Sequence, residues 1–162
     1  MAEWARSVAR GGDRIRVVPA HNLHITLAFI GDRPESDIAI LGAALRDSTT
    51  PPAGLSTGAP VWLPRRRPRA LALEIHDGRG ELAAARLATA EAVADALGLS
   101  APGKPWLPHL TAIRMRRGAS LPGPELPVTP SLEFDAEAVT LFRSRLNPEG
   151  AEYEPLERIG PS

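Results

Sequence analysis

Two short stretches of this chain repeat one arrangement of chemically active side chains: His24-Ile25-Thr26 within NLHITLAFIG, and His109-Leu110-Thr111 within PWLPHLTAIR. In each, histidine and threonine are two residues apart, so a β-strand would aim both side chains to one face, about 6.5–7 Å apart. Histidine exchanges protons near neutral pH. Threonine offers a hydroxyl that donates to an anionic oxygen without adding charge. Two such pairs facing one another would supply one acid, one base and two hydroxyls, a set suited to attack on a phosphodiester. One imidazole would take a proton from water and the other would give one to the leaving oxygen. The hydroxyls would hold the non-bridging oxygens where negative charge builds.

A single H-x-T tetrapeptide carries little information, and two histidines on two strands could be unrelated surface residues. The repeat gains weight because both copies sit in apolar alternation and both follow turn sequences. Around the first copy, Leu23, Ile25, Leu27 and Phe29 alternate at the period of a strand. Other chemistries fit less well. There is no H-E-x-x-H, no third ligand at a telling interval and no cysteine, which argues against a zinc site. No G-x-S-x-G is present to support a serine hydrolase. His21 and His76 fall outside the pattern and read as loop or strand-end surface residues.

The chain of 162 residues suits one domain, or two small lobes sharing a core. Its formal net charge is zero, so any contact with RNA would have to be local. The absence of cysteine removes disulfides and thiolate nucleophiles. No apolar run approaches the roughly 18 residues that span a bilayer, and the N-terminus lacks a signal peptide's apolar segment. These features predict a cytoplasmic protein.

The elements that would position the motifs follow from periodicity and punctuation. AEWARSVAR predicts a short helix ending at Gly11-Gly12. RIRVV (14–18) predicts a strand, antiparallel to a neighbour over 23–30. Residues 35–46 place Ile38, Leu41 and Leu45 on one helical stripe behind a cap at Asp32 or Ser36. Strands are expected near 54–63 and 70–76, around PRRRPR. A long helix over 79–97, with Ala83, Leu87, Ala90, Ala94 and Leu97 at three- and four-residue steps, would stop at Gly98. Pro102 and Pro105 break the chain before a strand at 107–114. Further strands are expected near 131–135, 137–143 and 152–158, with a proline-rich loop over 121–130. Mixed helices and strands with short connections predict an α+β fold with largely antiparallel sheets.

On these residues the chain resembles the two-histidine phosphoesterase superfamily, and within it the RNA 2′,3′-cyclic phosphodiesterases, also called 2′-5′ RNA ligases. RIRVVPAHNLHITLAFIG is similar to that family's first-motif region, PRRRPRALALEI to its central hairpin, and VTLFRSRLNPEGAEYEPLERI to its C-terminal end. The resemblance thus covers nearly the whole chain. It implies a single bilobal domain over 1–162, with two antiparallel sheets and flanking helices around a central cleft, its lobes related by a pseudo-twofold. It also implies the roles: His24 as the acid protonating the leaving ribose oxygen, His109 as the base activating water, Thr26 and Thr111 holding the phosphate. The product would be a 2′-phosphate, and neither metal nor organic cofactor is expected. The implied partner is RNA with a 2′,3′-cyclic phosphate end, or a cyclic nucleotide. Alternatives are a cyclic phosphate on an ADP-ribose-like molecule, a 2′-5′ linkage, ligation of tRNA halves, or an RNA-end binding module with little turnover.

Four further residues are candidates around this core. Arg114 follows His109 by five and could add charge beside the phosphate, but an odd separation places it on the other face unless the strand bulges or ends first. Trp106 could stack a base, or could pack between Pro105 and Pro108. Arg66 and Arg67, with Arg65 and Arg69, form a dense basic cluster that could track an RNA backbone; the alternative is a solvated hairpin turn. Family members usually begin with a strand ahead of the first helix, whereas this chain starts inside the helix. That departure predicts an exposed strand edge in the first lobe, on an otherwise monomeric protein, as a surface for dimerisation.

Overall fold

The computed structural model describes residues 1–10, 14–100, 105–116, 118–119, 126–147 and 150–160. The expected stop at Gly11-Gly12, the break at Pro102 and the stretch 121–125 of the proline-rich loop lie outside the described residues. The chain is α+β, with helices α1 (Ala2–Ala9), α2 (Asp37–Ser48) and α3 (Glu81–Leu97). Its strands are β1 (Ile15–Val17), β2 (Leu55–Leu63), β3 (Ala70–Asp77), β4 (His109–Met115), β5 (Glu133–Phe134), β6 (Val139–Asn147) and β7 (Gly150–Ile159). No helix among the described residues is long and apolar enough to cross a membrane. Two compact units are distinguished: one comprises Met1–Ile25, Ser56–His76 and Leu107–Glu133, the other Thr26–Leu55, Asp77–Trp106 and Phe134–Ser162.

The first unit is built on a five-stranded sheet in the order β1-β4-β3-β2-β5. Helix α1 buries Trp4, Ala5 and Val8, which a helical turn brings to one side, against Leu71 and Leu73 of β3 and Ala112 and Ile113 of β4. Ile15 and Val17 of β1 close over the same core. The register is antiparallel throughout this part: Ile15, Arg16 and Val17 face Met115, Arg114 and Ile113, and Ala70 and Leu71 face Arg114 and Ile113. Between β3 and β4 the register then shifts, so that Ala72 faces Thr111 and Glu74 faces His109. Ala112 is therefore an extra residue on β4, a β-bulge. Both bulge residues, Ala112 and Ile113, turn into the core, which is why an alanine suits the first of them.

The second unit packs Leu41 and Leu45 of α2, Val93 of α3 and Leu141 of β6 into a separate core, with Ile30, Leu156 and Ile159 at its margin. Its sheet is the antiparallel pair β6-β7. Arg143 binds Glu35 at 2.6 Å, joining β6 to the segment ahead of α2. Helix α3 ends as its glycine signals: Gly98 takes φ +63° and its N–H closes onto the last turn.

Three expectations need correction. Residues 23–30 form no strand, and β1 pairs with β4 instead of with them. After Val18, whose N–H still bonds the Ala112 carbonyl at 2.9 Å, a 3₁₀ turn at Ala20–Asn22 redirects the chain. Among the described residues, 23–30 joins no ladder. The alternation there also buries no clean face, since Leu23, Ile25 and Leu27 are half-buried while Phe29 is 91% exposed. The stripe on α3 is displaced too: Leu82, Ala85, Thr89, Ala90, Val93 and Ala94 are buried, whereas Ala83 and Leu87 are exposed. With alanine or another apolar residue at most positions, that helix has no unique apolar face until its neighbours choose one. Finally, Ser36 sits at the start of α2 without a side-chain capping bond, and Arg33 instead pairs with Asp37 at 2.8 Å.

Candidate active site

His109 is the first residue of β4, and its strand makes the motif as the two-residue spacing requires. Thr111 and His109 face Ala72 and Glu74, alternate residues of β3, so they share one side of the sheet. The other alternate residues of β3, Leu71 and Leu73, point to the core beneath α1. Ala70 is the next member of the motif-side row of β3, and it faces Arg114. The bulge at Ala112 thus returns Arg114 to the face of His109 and Thr111, cancelling the odd separation in sequence.

His24 reaches its place by a different route. β1 runs antiparallel to β4 and its last residue, Val17, faces Ile113, so the chain leaving β1 continues toward the His109 end of β4. The chain leaves β1, makes the 3₁₀ turn and arrives at His24 two residues later. Both histidines belong to the first unit, together with Thr111, Arg114 and the arginine hairpin, while Thr26 and Trp106 belong to the second.

The two imidazoles share one kind of tether. Nδ1 of His24 lies 2.8 Å from the carbonyl of Asn22, and Nδ1 of His109 lies 2.8 Å from the carbonyl of Leu107. A carbonyl can only accept, so in both rings Nδ1 carries a proton and donates it. Nε2 is then the nitrogen that gains or releases a proton. In each case the acceptor is the backbone two residues upstream, so the tether is local and needs no distant partner.

Trp106 is half-buried, and its indole N–H donates to the Thr26 carbonyl at 2.9 Å. The Arg86 guanidinium, from α3, lies over the ring with Cζ 5.9 Å from its centroid. These contacts help to position the ring. Arg66 and Arg67 are exposed in the turn between β2 and β3. Four residues of strand separate Ala70 from Glu74, about 13 Å, and the arginines lie beyond Ala70. They stand at the end of β3 away from His109. Three neighbours of the motifs gave no signal in the sequence: Glu74, directly across from His109; Arg16, directly across from Arg114; and Arg86. Register or tertiary contact alone identifies them. His76 is exposed at the end of β3, its ring so close over Gly58 that a Cβ there would overlap it. Among the described residues no group of three or more His, Asp or Glu side chains is arranged to hold a metal ion.

An α+β chain with antiparallel sheets and two H-x-T segments, each presenting a tethered imidazole, has the build of a two-histidine phosphoesterase. Comparison with known proteins agrees. Residues 1–71 match the family described as LigT like Phosphoesterase. The chain is 34% identical over 149 residues to the RNA 2′,3′-cyclic phosphodiesterase of Thermus thermophilus, covering 88% of this chain and 73% of that protein. It is 26% identical over 165 residues to a protein of the same name from Aeropyrum pernix, covering 98% and 93%. The crystal structure of TT0787 of Thermus thermophilus superposes with a TM-score of 0.71 at 30% identity, covering 96% of this chain and 87% of that one. This chain belongs to the LigT-like phosphoesterase family.

Proposed function

We propose that the protein hydrolyses 2′,3′-cyclic phosphates at RNA ends to 2′-phosphates, without a metal ion, using His24 and His109 as acid and base. The observation that carries this reading is the matched tethering of the two rings through Nδ1 to the carbonyl two residues upstream. A phosphate-binding protein needs positive charge, but it does not need two imidazoles fixed in the same tautomer. The names of the two relatives point to the same substrate.

In this reading His109, neutral, takes a proton at Nε2 from a water molecule as its oxygen attacks phosphorus. His24, protonated, gives its Nε2 proton to the 3′ oxygen as the P–O3′ bond breaks. The phosphate stays on the 2′ oxygen, and the two rings have exchanged protonation states, which solvent restores. Thr26 and Thr111 donate to the non-bridging oxygens, and Arg114 adds charge on the same face as Thr111. Each proton transfer is typically worth about 10²–10⁴ in rate. No role falls to a cofactor, and the chemistry suits a cytoplasmic enzyme of RNA processing.

The test is hydrolysis of a 2′,3′-cyclic nucleotide in the presence of chelator, comparing the wild type with His24→Ala and His109→Ala. Turnover in the wild type and loss in both variants supports the assignment. Turnover retained in either variant removes that residue from the mechanism, and binding without turnover in the wild type makes the protein an RNA-end binding module.

A further inference from the structure

The bulge at Ala112 has an effect beyond turning Arg114. It aligns three rows on one face of the sheet: Glu74 with His109, Ala72 with Thr111, and Ala70 with Arg114 and Arg16. Arg16 and Arg114 are therefore cross-strand neighbours on the motif side, both exposed. Like charges directly opposite one another in an antiparallel pair are destabilising. Nothing among the described residues neutralises these two: neither guanidinium lies within 4.0 Å of a carboxylate. Beside them β3 contributes only alanines, Ala70 and Ala72, so no large side chain of that strand intrudes. The next residue on this face, Val18 just past the end of β1, is already bonded back to β4 through its backbone.

A pair of unneutralised guanidinium groups whose strand neighbours are small suits a phosphate, which accepts forked hydrogen bonds from arginine and relieves the repulsion between the two. The pair stands one pleat from Thr111, about 6.6 Å along the strand. A phosphate held at His109 and Thr111 would thus have the next phosphate of a polynucleotide within reach of Arg16 and Arg114. We infer that Arg16, with Arg114, forms a second phosphate subsite that binds the phosphodiester on the 5′ side of the terminal nucleoside. This rests on the phosphodiesterase reading above and narrows its substrate class. The protein is built for RNA ends, or other cyclic nucleotides bearing a 5′-phosphate, over nucleoside 2′,3′-cyclic monophosphates, which lack that group.

The experiment compares two substrates, a cyclic nucleoside monophosphate and a dinucleotide ending in the same cyclic nucleoside phosphate. The quantity read is the ratio of their kcat/KM values, in the wild type, Arg16→Gln and Arg16→Lys. The wild type should prefer the dinucleotide, Arg16→Gln should lower that preference about tenfold, in keeping with loss of a charged hydrogen bond, and Arg16→Lys should restore part of it. The preference should also weaken with salt, with a log–log slope steeper by about 0.7 for the wild type than for Arg16→Gln, one single-strand phosphate contact. An unchanged ratio overturns the inference. So does a parallel fall on both substrates, since that would place Arg16 at the reacting phosphate or in the fold. If the wild type hydrolyses neither substrate, the phosphodiesterase reading fails by itself. The subsite is then judged by the binding ratio of a 3′-phosphorylated dinucleotide to a nucleoside 3′-phosphate under the same criterion.

Discussion

The two H-x-T segments carry the same side chains and the same imidazole tether, yet their backbones are supported in different ways. The second is strand β4, bonded to β1 on one side and β3 on the other, with Ala112 and Ile113 in the core beneath it. The first follows a 3₁₀ turn and joins no ladder among the described residues; the turn itself and the indole bond from Trp106 to the Thr26 carbonyl help to hold it. A histidine that is tethered to its own backbone two residues away does not need a sheet to hold its tautomer. Sheet pairing fixes where the motif lies, and the local bond fixes how the ring is presented.

If the two segments are equal chemical partners despite this difference, removing either ring should cost a similar amount. His24→Ala and His109→Ala should each lower kcat by about 10²–10⁴, as measured by single-turnover hydrolysis of a cyclic phosphate. A large loss at only one would break the equivalence. The wild-type rate should follow a bell-shaped pH profile, since one ring must be charged and the other neutral, and the two limbs describe the pair rather than either residue.

Stability should divide the segments where chemistry does not. Leu73→Ala, at a fully buried position of β3 paired with Leu110 of β4, should cost about 2–5 kcal/mol by denaturant unfolding. Phe29→Ala, in the first segment and 91% exposed, should change stability by less than about 0.5 kcal/mol. A large cost at Phe29 would show that the first segment is packed more tightly than its exposure indicates. Between these extremes lies Trp106→Phe, which keeps a ring for Arg86 but deletes the N–H donated to Thr26. Loss of that bond should cost about 0.5–1.5 kcal/mol and speed amide hydrogen exchange around residues 24–27, leaving exchange in β4 unaltered. Equal change in both segments would mean that Trp106 supports the whole molecule rather than the first motif.

Much of this fold could be read directly from residue order. The ends of α3, the start of α2 to within two residues, and strands β1 to β4 follow from periodicity and from glycine and proline. The pairing of histidine with threonine on one face of β4 was equally legible, since alternation is a property of the extended backbone. The strand expected over 23–30 shows the limit of that argument. Its alternation is as regular as that of β4, but a strand needs a partner, and the 3₁₀ turn after Val18 takes this segment off the edge of β4. The α3 stripe failed for a related reason: in an alanine-rich helix several faces are apolar, and the packing of α2 and β6 selects among them.

By itself, then, the sequence determined which groups are available and how each motif is built internally: the imidazoles, the hydroxyls two residues away, and the upstream carbonyls within reach of Nδ1. These depend on covalent geometry over two or three residues. Only tertiary structure decided that Arg114 returns to the face of Thr111, that Arg16 stands opposite it, and that Trp106 grips Thr26. One bulged residue inverts every side-chain direction beyond it, and whether a strand bulges is set by the core and by hydrogen-bonding partners far away in the chain.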